Sequence, residues 1–382
     1  MSDTRKTTKP NVPNLRFPGF EGEWEECTIK DFGRVVTGST PPTSDNRYYE
    51  NGLRLWASPA DLRGDKYISE TCTKLSEKGF AKTRVIPQGA TMVTCIGSTI
   101  GKMGMASCEM STNQQINSII SNTQTDSQYL YYAIQARFHR YSQSIAVQAV
   151  PILSKSSFEQ LKNYRPLLQE QQKVGSFLDL IDRRITIQNK VIEKYESLIK
   201  ALYEQLIPGD RDDHAALGTL VRICKGKQLN GEFLSEDGKY YVMNGGITPS
   251  GYYDDYNTPA GTISISEGGN SCGFVQYNEK PFWSGGHCYT LLQTTDERVQ
   301  YKFLYHLLKS KQDDIMALRI GSGLPNIQKK DIGRFPIPML PLEHQKAITR
   351  LLDSVYKHIE YEQALLAELV HLKSYFLGAL FI

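Results

Sequence analysis

Leu168-Gln169-Glu170-Gln171-Gln172-Lys173 opens a stretch in which Val174, Leu178, Ile181, Ile185, Gln188, Ile192, Tyr195, Ile199, Leu202 and Leu206 follow at alternating spacings of four and three. That alternation is the a/d seam of a coiled coil. Adding 174 to every position gives Ile348, Leu352, Val355, Ile359, Glu362, Leu366, Leu369, Lys373, Phe376 and Leu380. The stripe is therefore present twice. Its polar interruption is repeated as well, because Gln188 and Glu362 share one otherwise apolar position, and a lone polar residue in such a seam sets register. The two are expected to be partners. Each helix is expected to run about 36 residues, or ~54 Å, too long and too apolar on one face to stand alone. An antiparallel pair is expected, since only that arrangement lets two equivalent repeats use one seam reciprocally.

The duplication extends backwards. Pro341-Leu342-Glu343-His344-Gln345-Lys346 resembles the helix start at residues 168–173 with an offset of 173, and Val150-Pro151-Ile152-Leu153-Ser154-Lys155 matches Leu324-Pro325-Asn326-Ile327-Gln328-Lys329 with an offset of 174. Pro87, Gly89 and Gly101 correspond to Pro259, Gly261 and Gly273 at 172, and Tyr129-Leu130 to Tyr301-Lys302 at the same offset. Ile29-x-x-Phe32 and Gly38 correspond to Leu217-x-x-Leu220 and Gly226. Short β-branched runs broken by turn residues, such as Thr91–Ile96 and Thr262–Ser266, read as strands. Helical patterns follow over Ser127–Tyr141 and Glu297–Leu318. The expected fold class is α+β: two mixed α/β domains and two long antiparallel coiled-coil helices, forming a repeat with a pseudo-twofold axis. The expected boundaries are a disordered lead over 1–14, domains over 15–165 and 209–337, and long helices over 166–208 and 338–382.

Composition narrows the function. With 382 residues, 40% hydrophobic and 22% charged, the chain is globular rather than disordered. Its 44 basic and 41 acidic side chains leave a formal charge of +3, so any basic surface is local. Seven cysteines without a C-x-x-C spacing argue against a zinc site or a disulfide framework, and for a reducing cytosol. The N-terminal residues lack the apolar segment of an export signal, and no run approaches the roughly 20 apolar residues of a membrane span. A soluble cytoplasmic protein is expected.

Patterns that carry chemistry are weak. Gly97-Ser98-Thr99-Ile100-Gly101-Lys102-Met103 is one residue short of a phosphate loop and lacks the hydroxyl after its lysine, so it reads as a glycine-rich turn. Pro208-Gly209-Asp210 with Asp237-Gly238-Lys239 has the outline of a magnesium nuclease, yet the first reads equally as a helix stop and the second as a hairpin turn. No G-x-S-x-G elbow surrounds the serines near His287-Cys288. The Asn/Asp-Pro-Pro-aromatic tetrapeptide of adenine-N6 methyltransferases is absent. No catalytic and no metal-binding residue is assigned.

Polar loops instead recur at equivalent places. The first copy offers Ser39, Thr40, Trp56, Ser58, Ser98, Thr99, Lys102, Asn113, Gln114 and Gln115; the second offers Lys225, Lys227, Asn244, Asn270, Ser271 and His287. Asn, Gln and Arg supply the bidentate donors and acceptors that base edges require, while Lys and backbone amides position phosphates. Lys155 and the pair Lys329-Lys330, just before each long helix, are further phosphate candidates.

With the repeat, these helix starts and the Gly38-Ser39-Thr40-Pro41 loop, the sequence resembles the specificity subunit of type I restriction-modification enzymes over residues 15–382. The resemblance implies two target-recognition domains reading a bipartite, asymmetric DNA site, and helices that space them and dock two methyltransferase subunits. S-adenosylmethionine would belong to those partners. ATP and Mg would serve the methyltransferase and restriction partners of a complete enzyme, while this chain would carry no cofactor. The second copy departs from the loop pattern, with Gly226-Lys227-Gln228-Leu229. Two other classes stay open on the residues alone: a coiled-coil scaffold with protein- or ligand-binding domains, and a self-sufficient endonuclease.

Overall fold

The computed structural model describes residues 11–143, 151–207, 213–321, 323 and 325–382. Residues 1–10 of the expected lead, Val150, Leu324 and Pro208-Gly209-Asp210 lie outside them. The chain forms two compact units: unit 1 comprises residues 1–190 and 364–382, and unit 2 residues 191–363. Both long helices are thus divided. Each unit takes part of each.

In unit 1 a five-stranded sheet runs in the spatial order Gly33–Thr37, Ile116–Ser121, Thr91–Thr94, Met103–Ala106, Tyr67–Ile68. A second sheet of four strands orders Thr73–Leu75, Arg54–Ala57, Met110–Thr112, Val85–Ile86, with Trp56 opposite Ser111 in a parallel pairing. Strand Thr91–Thr94 is buried at every position, as a central strand covered on both faces requires. The helix Ser127–Gln143 packs Tyr129, Leu130, Tyr132, Ala133 and Ile134 into the core with Trp24, Phe32 and Phe381.

Unit 2 repeats this plan in reduced form. Its main sheet orders Val221–Lys225, Cys288–Gln293, Thr262–Ser266, Val275–Asn278, and a smaller sheet orders Tyr252–Tyr253, Tyr240–Met243, Trp283–Ser284. Val242 lies opposite Trp283, again in parallel pairing. The helices Tyr301–Ser310 and Gln312–Ala317 replace the single helix of unit 1.

The central helix runs Leu168–Leu206 and the C-terminal helix Leu342–Ala379, 39 and 38 residues. Every seam position is buried or half-buried, including Gln188 at 1% exposure and the half-buried Glu362. Within unit 1 the Phe177 and Phe376 rings meet edge to face and Lys373 Nζ lies 2.7 Å from Asp182. Within unit 2 Tyr195 stacks on His358, and the Tyr203 and Tyr356 hydroxyls are 3.0 Å apart. In both units one helix number rises as the other falls, so the pairing is antiparallel.

Four expectations change. The helix starts align at 174, not 173: Gln171 Nε2 donates to the Gln124 and Pro166 carbonyls while its Oε1 accepts from Asp126 N, and Gln345 makes the same bonds to Arg298, Leu340 and Gln300. The counterpart of Gln345 is therefore Gln171, because a buried amide's bonds outrank a neighbouring letter match. By the same register Tyr129 corresponds to Phe303, both fully buried, rather than to Tyr301. Residues 11–14 are not part of a disordered lead, since Asn11 O accepts from Trp24 N at 2.8 Å and Pro13 is buried. Asp237-Gly238 is not a hairpin turn: it precedes strand Tyr240–Met243, and a Cβ on Gly238 would lie 2.5 Å from Tyr253 N, so close approach explains the glycine.

Candidate nucleic-acid interface

The loops singled out in each copy rest on a frame of backbone hydrogen bonds that the two units share bond for bond. In unit 1 Gly38 N donates to Ile116 O, Ser39 N to Thr112 O, Asn113 N to Ala57 O, Cys95 N to Gln115 O, Leu153 N to Cys95 O and Gly97 N to Pro151 O. In unit 2 Gly226 N donates to Cys288 O, Lys227 N to Ser284 O, Gly285 N to Met243 O, Glu267 N to His287 O, Ile327 N to Glu267 O and Gly269 N to Pro325 O. The first glycine of each set is required by space: a Cβ on Gly38 would stand 2.1 Å from Asn113 O, and one on Gly226 2.2 Å from Gly285 O. Gly101 and Gly273 close the neighbouring turn with φ 91° in both, a region that favours glycine.

This frame gathers the candidates of unit 1. Thr40 Oγ1 donates to Gln114 Oε1, Trp56 Nε1 donates to Ser39 O at 3.0 Å, and Asn113 Nδ2 donates to Gln115 Oε1 at 2.9 Å. Ser58 N and Oγ donate to Asp61. Burial alone would raise the Asp61 carboxyl, but hydrogen bonds from Cys72 and Ser58 outweigh it and hold the group below its usual range. Ser98 and Lys102 are exposed and Thr99 half-buried in the turn between strands Thr91–Thr94 and Met103–Ala106. Lys155 is exposed on the short helix Lys155–Glu159, where it lies 3.6 Å from Glu159. Arg84, which the sequence did not single out, donates its N–H to Ser39 Oγ and its guanidinium to Thr37 O.

Unit 2 fills the same frame with other chemistry. The indole that donates to the residue after the glycine comes from Trp283, bonded to Lys227 O at 2.9 Å. Trp283 stands opposite Val242 as Ser111 stands opposite Trp56, so the indole is supplied from the neighbouring strand. Asn244 Oδ1 accepts from His287 N at 3.2 Å, and Ser271 Oγ donates to Gly245 O. Asn270, Lys225, Lys227, His287, Lys329 and Lys330 are exposed. Beneath them lies Glu267, 9% exposed, where unit 1 has Cys95. It accepts from Lys225 Nζ at 2.6 Å and Tyr289 OH at 3.0 Å. Burial first, and the bond to Glu267 second, push the Tyr289 hydroxyl up to about 12. Glu267 was not legible as a site residue; the signal was a carboxylate between a buried strand and Gly268-Gly269.

Where helix meets domain the units differ again. In unit 1 Lys66 is buried and donates to Asp179 at 2.6 Å and to the Tyr132 hydroxyl at 2.9 Å, which donates to Asp182. Burial lowers the Lys66 ammonium despite Asp179. In unit 2 the equivalent residues are His306 and Asp353, joined at 2.8 Å, with Lys302 at 3.2 Å from the carboxylate. Burial lowers the His306 imidazole against the pull of Asp353. Among the described residues no group of three or more His, Cys, Asp or Glu is placed to hold a metal, and no helix is long and apolar enough to cross a membrane.

Two mixed domains on paired long helices, each offering a polar loop cluster, define the class of fold to which the chain belongs. The chain belongs to the type I restriction modification DNA specificity domain family, which matches residues 21–197 and 214–371. It is 37% identical to a putative type I specificity subunit of Mycoplasma pneumoniae over 146 residues, 38% of this chain and 39% of that one. A putative counterpart in Mycoplasma genitalium is 35% identical over 145 residues, 38% of each. These matches span about two fifths of the relatives' length. The MjaVIII specificity subunit of Methanocaldococcus jannaschii aligns over 89% of this chain and 88% of its own at 22% identity. The crystal structure of a type I restriction-modification S subunit from M. genitalium shares the fold, with a TM-score of 0.70, 18% identity and coverage of 97% and 99%.

Proposed function

We propose that this chain is the DNA-specificity subunit of a type I restriction-modification complex, with no chemistry of its own. The observation that carries the reading is the pair of frames that match bond for bond and present different side chains at equivalent loop positions. A duplicated reader with divergent loops suits a bipartite, asymmetric target, one half for each domain. Exposed Lys102, Lys155, Lys225, Lys227, Lys329 and Lys330 would neutralise phosphate, and the amides and imidazole would meet base edges. The long helices would dock two methyltransferase subunits, which bind S-adenosylmethionine. ATP and Mg would be used in the assembled enzyme, where restriction subunits join it. Gln188 and Glu362 would set the helix register, and the complex would work in the cytoplasm beside its DNA.

Co-expression with an adenine methyltransferase partner, followed by methylome sequencing, tests this. The expected result is one bipartite motif. Substituting Asn113, Gln114 and Gln115 together should alter one half of the motif, and substituting Asn244 and Asn270 the other. Binding should weaken steeply with salt. Methylation without sequence preference, or substitutions in one unit that alter both halves, would overturn the reading.

A further inference from the structure

The polar groups of unit 2 include one arrangement that unit 1 lacks entirely. Glu267 Oε1 is satisfied by Lys225 and Tyr289. Its Oε2 is shielded from solvent and makes no hydrogen bond, yet lies 3.5 Å from His287 Nδ1. The His287 side chain is 62% exposed, so its far edge faces outward. Its backbone is held at both ends, N–H to Asn244 and carbonyl from Glu267. The corresponding residues of unit 1 are Thr37, Cys95, Gln115 and Asn117, none of them charged.

An ionised carboxylate only accepts, so it favours the tautomer that carries the proton on the imidazole nitrogen facing it. In a neutral ring the opposite nitrogen is then an acceptor. Asn244, Gly245 and Gly268 also border His287, while Lys225 from strand Val221–Lys225 and Tyr289 from strand Cys288–Gln293 bind Glu267 itself.

We propose that Glu267 is a positioning residue that turns His287 Nδ1–H inward and its Nε2 lone pair outward, so that unit 2 reads an exocyclic amino group in the major groove. This rests on the DNA-recognition reading above. Adenine N6 and cytosine N4 both present such a donor. Unit 1 offers the Gln115 amide at this place, which both donates and accepts and does not titrate.

The test uses the full chain with its methyltransferase partner and duplexes of its own motif. Purine replaces adenine, or pyrimidin-2-one replaces cytosine, at each position of the second half-site, removing one amino group at a time. The wild type should lose about tenfold in affinity at one position, the size of one base contact. The analogue that produces the loss identifies the base. H287A should bind the amino-bearing and amino-lacking duplexes equally at that position, and E267Q should discriminate less. Discrimination at the first half-site should be unchanged in both variants. If E267Q fails to fold, H287A still decides. Selective binding in which H287A discriminates like the wild type at every position would overturn this inference and leave the recognition reading standing. Absence of selectivity for any duplex would overturn the recognition reading itself.

Discussion

The two units share a frame of backbone hydrogen bonds around their loops and differ in strand number and in the side chains laid on that frame. Where unit 1 closes its loop with Trp56, unit 2 reaches the same carbonyl position with Trp283 from the adjacent strand. Where unit 1 seats its domain with Lys66, Asp179, Asp182 and Lys373, unit 2 uses Lys302, His306 and Asp353. A backbone hydrogen bond needs only the chain's path, so it survives any substitution that keeps the path. A side chain is free to change where its neighbour changes too. Duplication followed by such paired changes yields two domains of one plan and unlike chemistry.

The comparison breaks most readily at the shared glycines. G38A and G226A should each destabilise their own unit by about 3 kcal/mol or more, because a Cβ would meet backbone carbonyls that cannot yield cheaply. Hydrogen exchange resolved by unit checks this, and tolerance of alanine at either site would show that the frame is looser than its bonds imply. K66M should cost about 3 kcal/mol in unit 1, as breaking a buried pair strands Asp179. Arg183, on the same carboxylate at 2.7 Å, limits the loss. Unit 2 should be unaffected, which chemical denaturation followed by domain-specific exchange can read.

The smallest effect is a pH drift. Burial lowers the His306 imidazole, so the unfolded chain takes up its proton at higher pH than the folded one. The contribution is fully present above about pH 6.5, the ordinary histidine value, and is lost as pH falls through the lower folded value. Unit 2 should therefore melt earlier in mild acid while unit 1 holds, and H306Q should remove the difference. Equal acid sensitivity of both units would place its origin elsewhere.

The amino-acid sequence by itself determined the duplication, the two long helices and the stripe that they bury, because a seven-residue apolar period is local and leaves a direct trace. It also placed Gly38 and Gly226, Gly101 and Gly273 at equivalent positions, and those pairs hold in the structure. It misaligned Gln171 and Tyr129 by one and two residues, since letters near a helix start repeat while a buried amide or ring has only one partner. Gathering Ser39, Thr40, Trp56, Asn113, Gln114 and Gln115 around one glycine, supplying the second indole from another strand, and burying Glu267 under His287 were decisions of the tertiary structure alone. These groups lie far apart in sequence, and only strand pairing and close packing bring them within hydrogen-bonding distance.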